Sequence, residues 1–417
     1  MGVDALRLLD RMIGLPLCWL LSLVRLLRRL LLPVRSLPPP RRVLIIKLSE
    51  MGSTVLAYPA MEALKKRIPG VELFFLVFKN NAAIVDVLSV IPSANIVTVD
   101  YGSPYRLLAT GLQAMKRLLS EHIDTTIDMD FFSRLTALIS FVVCRGNRVG
   151  FHRYNDEGLY RGNLLTHRVI YSPQIHTSAA FMALVKSLFE SPGDEPHYRG
   201  PIDPADLTVP TYTPLQEEIR SVRAKLAAAG FRQDGNATII LINPNSSDIF
   251  PLRKWPLDSF TRLCERLLIE QPRCWLVITG VASERKDAQF IRDRVQSQRC
   301  VDFTGQTSFR ELLALYDIAN LMITNDSGPA HFAALLSLPT IVLFGPETPR
   351  LYSPMGTRHK AMYSDFACSP CVSVYNSKKS PCTDNRCLKA ISLENVLQEA
   401  LAMLHSFANE NKAIGSA

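Results

Sequence analysis

The chain has 417 residues, of which 47% are hydrophobic and 20% charged, so it is too long for one ordinary core and too apolar to be a disordered chain. Two domains with extensions are expected. The formal charge of +9 is spread along the chain and heaviest in the first 42 residues, without the basic stripe interleaved with aromatics that a nucleic-acid surface needs. Nucleic acid is therefore excluded as a partner, and an anionic membrane surface or a phosphorylated substrate is favoured.

The opening arm, residues 1–42, contains "MIGLPLCWLLSLVRLLRRLLLPVRSLPPPRR". Its apolar run from Met12 to Val24 is short for a membrane span and is followed at once by Arg25, Arg28 and Arg29. At helical spacing Arg7, Arg11, Arg25 and Arg29 share one face with Gly14 and Cys18, and leucines fill the rest. This pattern predicts an interfacial helix, kinked at Pro16, whose arginines meet anionic headgroups; a single signal anchor is the alternative. A cleaved signal peptide fits less well, because no small-x-small site follows the apolar run. Pro38 to Pro40 form a stiff spacer. The nine cysteines do not form the framework of a secreted disulfide scaffold. A cytoplasmic protein, peripheral on the inner face of the membrane, is expected.

From residue 43 strands and helices alternate. "RRVLIIKLSEMGSTVLAYPAMEALKKRIPG" reads as strand, glycine turn and helix, and further strands are predicted over 71–78, 94–100 and 124–131. Alternation of this kind implies a doubly wound parallel sheet for 43–205. A proline-rich stretch without periodicity holds the linker, placed at 206–214. The pattern restarts over 215–392, with strands at the start of 237–247, 274–284, 321–328 and 339–347, each running into small or polar residues. A final helix and tail occupy 393–417. The expected fold class is α/β, with two Rossmann-like domains facing a cleft and ligands outside the carboxyl ends of the strands.

The stretch "TNDSGPAHFAA", 324–334, sets Asn325, Asp326, Ser327, Gly328 and His331 between a strand and a small-residue helix. Asp326 or Ser327 can cap that helix, Gly328 lets a ligand approach the backbone, and the free amides favour phosphate. A plain cap with a surface histidine would give the same pattern, but three further polar strand ends in the same half favour a site. In "PNSSDIFPLRKWP", Ser246 and Ser247 follow a strand and Arg253 and Lys254 come shortly after, which suits a pyrophosphate as well as it suits a solvated loop. No G-x-G-x-x-G follows the first strand of either half, which argues against a Rossmann oxidoreductase.

Three stretches carry a family resemblance: "KLSEMGSTVLAYPAMEALKKRIPG"; "NPNSSDIFPLRKWP" with "ITGVASE"; and "FTGQTSFRELLALYDIANLMITNDSGPAHFAALLSLPTIVLFGPETP". Over roughly residues 43–400 the chain resembles family-nine glycosyltransferases, the lipopolysaccharide heptosyltransferase family. The resemblance implies a GT-B fold and inverting transfer without a catalytic cofactor or metal. It implies an ADP-heptose-like donor bound by the second half and a lipid-linked or lipopolysaccharide-type acceptor. Carried over position by position, Asp326, Ser327, Gly328 and His331 would hold the donor's sugar and phosphates, with Ser246 and Ser247 on the phosphate side. Arg253, with Lys254 beside it, would face the pyrophosphate, and Glu284, after Gly280, the ribose.

One departure stands out. The family's first motif carries Gly-Asp, whose aspartate would deprotonate the acceptor; here the pair is Gly52-Ser53. Asp130, at the end of the fourth strand, is the preferred substitute base over Glu50 on the Ser53 loop, and a capping role for either is the competing reading. "RVGFHRYNDEGLYRGNLLTHRVIY", 148–171, gathers Arg148, His152, Arg153 and Arg161 as candidate holders of acceptor phosphates, against a solvated loop. Cys368, Cys371, Cys382 and Cys387 have a spacing compatible with structural zinc, with an iron–sulfur centre or free thiols as the alternatives. The function expected is sugar transfer from a nucleotide sugar to a lipid-linked glycan; the alternative is a catalytically impaired nucleotide-sugar- or lipid-binding protein of the same fold.

Overall fold

Apolar strands of three to seven residues, punctuated by amphipathic helices, bury best between helices on both faces of a parallel sheet. The computed structural model describes residues 3–31, 37–152, 161–193, 195–232, 237–246, 250–376 and 378–415. It divides into two compact units, Met1–Thr208 and Val209–Ala417.

Unit 1 holds β1 (Arg42–Ile46), β2 (Glu72–Phe78), β3 (Ile96–Val99), β4 (Thr125–Asp128), β5 (Asn147–His152) and β6 (His167–Ile170). Their order is β3-β2-β1-β4-β5-β6, all parallel. Unit 2 holds β7 (Thr238–Asn243), β8 (Cys274–Ile278), β9 (Cys300–Asp302), β10 (Leu321–Asn325), β11 (Thr340–Leu343) and β12 (His359–Met362). The order β12-β11-β10-β7-β8-β9 is the same winding seen from the other edge, again parallel throughout. In each unit the order reverses between the first and fourth strands, and ligands of open α/β sheets bind outside the carboxyl ends at that point.

Sequence periodicity missed β5, β6, β9 and β12. β9 has three residues, β12 reads "HKAM" at a sheet edge, and β5 and β6 carry the basic residues that made 148–171 resemble a loop. The final helix, Leu393–Gly415, packs onto unit 2, burying Val396, Leu397, Ala400 and Leu404 in the cluster that contains Trp255 and Phe260.

The arm belongs to unit 1. It is helical over Val3–Leu9 and Leu15–Leu31, joined by a π-helical turn Asp10–Gly14. Pro16 lacks the amide that would continue the α-helical ladder, and the wider turn just before it absorbs the defect. Asp10 Oδ1 accepts from Leu135 N at 2.8 Å and from Ser133 Oγ at 3.2 Å, and Oδ2 from Arg134 Nη1 at 3.3 Å. The arm thus supplies a capping carboxylate to the helix Arg134–Val143. A Cβ on Gly14 would lie 2.7 Å from Arg134 Cβ, so only glycine permits this approach. Among the described residues no helix is long and apolar enough to cross a membrane.

Candidate active site

At the unit 2 switch point β7 ends in Asn243 and β10 in Asn325. Asn325 is fully buried: its Oδ1 accepts from Trp255 N at 3.0 Å and its Nδ2 donates to Pro244 O at 2.8 Å. It ties the loop after β7 to the loop after β10, so it positions the site rather than touching a ligand. Asp326, 4% exposed, comes next, and its amide donates to Leu343 O at 3.0 Å. Arg253 spans two carboxylates, with Nε 3.7 Å from Asp326 Oδ2 and Nη2 2.9 Å from Glu347 Oε1. The Glu347 carboxylate is fully buried, and sequence reasoning missed it because "FGPETP" reads as an ordinary turn after β11.

Ser327 takes the N-cap position of the helix Gly328–Ala334, but its hydroxyl donates to Asn325 O at 3.2 Å and makes no cap. The capping expectation for Asp326 and Ser327 is corrected accordingly. Gly328 opens that helix and His331 lies buried on it. Ser246 braces its own loop by donating to Phe250 O at 3.1 Å, whereas Ser247 lies outside the described residues. Lys254 is not aimed beside Arg253 as expected; its ammonium pairs with Asp287 at 3.0 Å. The Glu284 carboxylate accepts from Val281 N at 2.8 Å, closing the turn after β8. A Cβ on Gly280 would stand 2.7 Å from both Asn245 Nδ2 and Glu284 Oε2, so glycine is required there for the loops to meet. Asn245 itself is 2% exposed, and its Oδ1 has no hydrogen-bond partner among the described residues. A buried acceptor left unmatched costs on the order of 1–3 kcal/mol, and a ligand hydroxyl or amine at this strand end would recover it.

At the unit 1 switch point β1 runs into Lys47, Leu48, Ser49 and Glu50, and β4 ends at Asp128. Asp130 is engaged on both oxygens: Lys47 Nζ lies 3.0 Å from Oδ1 and Leu48 N donates to Oδ2 at 2.9 Å. Lys47, which the sequence reading passed over as the end of a strand, also donates to Ser49 O at 2.7 Å. Asp130 therefore reads as half of a buried structural pair, which corrects its preference as base. Glu50 precedes the helix Met51–Leu56 with φ 69°, in the left-handed region. Ser53 Oγ donates to Glu50 O at 2.9 Å and stands 3.4 Å from Glu50 Oε2. A non-glycine residue held at positive φ costs about 1–3 kcal/mol, and such strain concentrates at functional sites.

Of the residues expected to bind the acceptor, Arg148 and Arg161 are buried and spent on internal partners. Arg148 is turned inward, donating to Leu164 O at 2.7 Å, Cys144 O at 3.0 Å and Gly146 O at 3.3 Å. Arg161 forms a buried ion pair with Asp128 and donates to Phe151 O at 3.1 Å. Burial pulls the Arg161 guanidinium down to about 10, which leaves it charged at neutral pH. His152 is lowered to about 4 by burial, with Arg168 adding to the effect, so its ring is uncharged at neutral pH. Arg153 lies outside the described residues.

His167, 1% exposed and lowered to about 4 chiefly by burial, gives a stability prediction. Between about pH 6.5 and 4 the unfolded chain holds the proton that the folded ring refuses, so stability falls as pH falls through that window. The melting temperature is expected to drop less on acidification in His167→Gln than in the wild type.

Among the described residues no group of three or more His, Cys, Asp or Glu is placed to hold a metal, although all four late cysteines are described. Cys368 and Cys382 are exposed, Cys371 is half-buried and Cys387 buried; the Cys382 thiol donates to Asp384 O at 3.1 Å, and Cys371 Sγ accepts from Ser380 Oγ at 3.4 Å.

Comparison with known proteins bears on these two strand-end clusters. The profile of glycosyltransferase family 9 (heptosyltransferase) matches residues 112–380. The chain is 26% identical over 169 residues to a lipooligosaccharide heptosyltransferase 2 of Campylobacter jejuni, covering 40% of this chain and 51% of that one. It is 21% identical over 320 residues to lipopolysaccharide heptosyltransferase 1 of Campylobacter coli, covering 73% and 84%. It spans about half the length of the first of these relatives. Among solved structures, the ADP-heptose lipopolysaccharide heptosyltransferase II of E. coli superposes with a TM-score of 0.67 at 17% identity, over 88% of this chain and 99% of that one. A family 9 glycosyltransferase of Veillonella parvula gives 0.68 at 18% identity, over 88% and 97%. At such identities the structural likeness establishes the fold, GT-B, and nothing finer. Residues 1–111, which include the arm and the β1 end with Lys47, Glu50 and Ser53, lie outside the family match.

Proposed function

The chain belongs to glycosyltransferase family 9, the heptosyltransferase family, and on that premise we propose that it transfers heptose or a related sugar from an ADP-heptose-like donor to a lipid-linked or lipopolysaccharide-type glycan. The reaction would run on the inner face of the cytoplasmic membrane. The observation that carries this reading is the donor-side cluster: Arg253 between Asp326 and Glu347, beside the β7 end where Asn245 keeps a buried, unmatched carbonyl. In direct displacement an acceptor hydroxyl loses its proton to a carboxylate, attacks the anomeric carbon and expels the nucleoside diphosphate, inverting the configuration. Glu50 is the base in this reading, in the place of the family's aspartate, and Ser53 lies beside its carboxylate. Arg253 neutralises the leaving diphosphate without a metal, by exchanging one of its carboxylates for phosphate oxygens.

Purified protein incubated with ADP-heptose and a lipopolysaccharide-type acceptor is expected to release ADP, and Asp326→Ala is expected to lower that release by about 10²-fold or more with the fold intact. Normal turnover in Asp326→Ala would remove the donor-site assignment. The Gly52-Ser53 pair supports a second reading, a binder that holds nucleotide sugar without turning it over. ADP-heptose binding without ADP release, together with a gain of release in Ser53→Asp, is the result that reading expects.

A further inference from the structure

On the arginine face of the arm, the stretch from Gly14 to Arg25 is turned toward the protein. Arg25 Nη1 donates to Asn163 O and Leu165 O, both at 2.6 Å, Ser22 Oγ accepts from Asn163 N at 2.7 Å, and Cys18 and Gly14 are buried. That seam corrects the expectation that Arg25 meets headgroups; the side chain of Arg29 is not among those described. On the opposite side of the helix Leu15–Leu31, the residues exposed are Leu17, Trp19, Leu20, Leu23, Leu26, Leu27, Leu30 and Leu31. At about 100° per residue they cover roughly half of the circumference, along a helix about 25 Å long, with no polar side chain among them. A soluble helix has the reverse arrangement, with its apolar stripe inward and its polar face out.

We infer that this half-cylinder is a membrane anchor that lies in the interface of an anionic bilayer, with its leucines in the acyl layer and the helix axis along the surface. A second protein chain is a poorer occupant. Helix pairing buries an apolar stripe somewhat over 100° wide, and one partner face cannot cover half of a convex helix, whereas a bilayer surrounds it. The charge pattern also fits lipid. Arg11, in the turn before this helix, and Arg28, at the lateral margin of the apolar surface in its last turn, are exposed, while the Asp10 carboxylate is turned into the protein by Ser133, Arg134 and Leu135. Trp19, 65% exposed, suits the headgroup boundary. The inner seam fixes how the anchor is carried: Asp10, Ser22 and Arg25 fasten the helix to the 133–135 and 163–165 segments, so unit 1 lies on the membrane in one orientation instead of hanging from a tether. The inference deepens the proposed transfer to a lipid-linked acceptor and rests on that reading for its purpose.

The test is sedimentation of the full chain with vesicles of phosphatidylethanolamine and phosphatidylglycerol, and with neutral phosphatidylcholine vesicles. The wild type is expected to pellet with the anionic vesicles. Leu23→Gln/Leu27→Gln, on exposed positions that leave the melting temperature unchanged, is expected to weaken partitioning at least about tenfold, and Arg28→Gln to weaken only the preference for anionic lipid, by about fivefold. Sedimentation of the double variant like the wild type overturns the inference. So does a wild type that stays in solution with vesicles and, by light scattering, forms an assembly that the double variant dissolves, because the surface is then an interface between copies. Vesicle binding uses neither donor nor acceptor, so loss of ADP release with a soluble acceptor would sink the proposed reaction and leave this result standing.

Discussion

Glu50→Gln is expected to lower sugar transfer by about 10²- to 10⁴-fold, the range that one general base supplies, while donor affinity and melting temperature stay close to wild type. Two carboxylate positions follow the β1 and β4 ends, and they differ in backbone conformation and in setting. Asp130 has the Lys47 ammonium on one oxygen and the Leu48 amide on the other. Glu50 has a serine hydroxyl 3.4 Å from one oxygen and is held at φ 69°, where a glycine would be unstrained. Chain conformation is thus strained to present that carboxylate, and Glu50→Gly separates the two consequences: relief of backbone strain should hold or raise stability while transfer is lost. Asp130→Asn should do the opposite. It leaves the Lys47 ammonium, 2% exposed, without its counter-ion, which costs about 3–5 kcal/mol of stability. Full activity in Glu50→Gln, together with a stable but inactive Asp130→Asn, would reverse the assignment.

The sequence showed where the polar strand ends lie better than which atoms are available there. Polar residues after β7, β8 and β10 are local in the chain, and a strand followed by "TNDSG" or "NPNSS" announces a strand end whatever the remainder of the fold does. Partners distant in sequence are not announced. Arg253 meets Glu347 across 94 residues and Lys47 meets Asp130 across 83, so a basic pair on a loop and a carboxylate at a strand end look available until the sheet order places their counter-ions. The 148–171 segment misled for a related reason. Charge reads as solvated in sequence, but parallel strands near a sheet edge can bury arginines when carbonyls such as those of Cys144 and Leu164 receive the guanidinium. The arm misled through its symmetry. Helical periodicity separates its arginine face from its leucine face but cannot say which one is turned toward the protein. Gly14 and Cys18 marked the packed side, because small residues lie where a helix comes close to another element.

Arg253→Met is expected both to destabilise unit 2 by about 3–5 kcal/mol and to abolish transfer, and a second substitution separates these effects. Without its guanidinium, Glu347, whose carboxylate is fully buried, and Asp326, 6% exposed at the side chain, face each other's charge in a dry site. Replacing Glu347 as well, in Arg253→Met/Glu347→Leu, removes one buried charge and fills its space with an apolar group, so most of the lost stability should return. Transfer should not return. In the proposed reaction the guanidinium is the group that receives the diphosphate as charge develops on it, and methionine offers nothing in its place; loss of an aligned donor of this kind lowers turnover by about 10²- to 10³-fold. The single substitution Glu347→Leu completes the cycle. It removes the buried charge and leaves Arg253 with one carboxylate fewer to exchange for phosphate, so donor binding should tighten. Calorimetric melting with ADP release, measured on all four proteins, reads the cycle, and transfer restored in the double variant would show that Arg253 acts only as a counter-ion to Glu347 and Asp326 and takes no part in expelling the nucleotide.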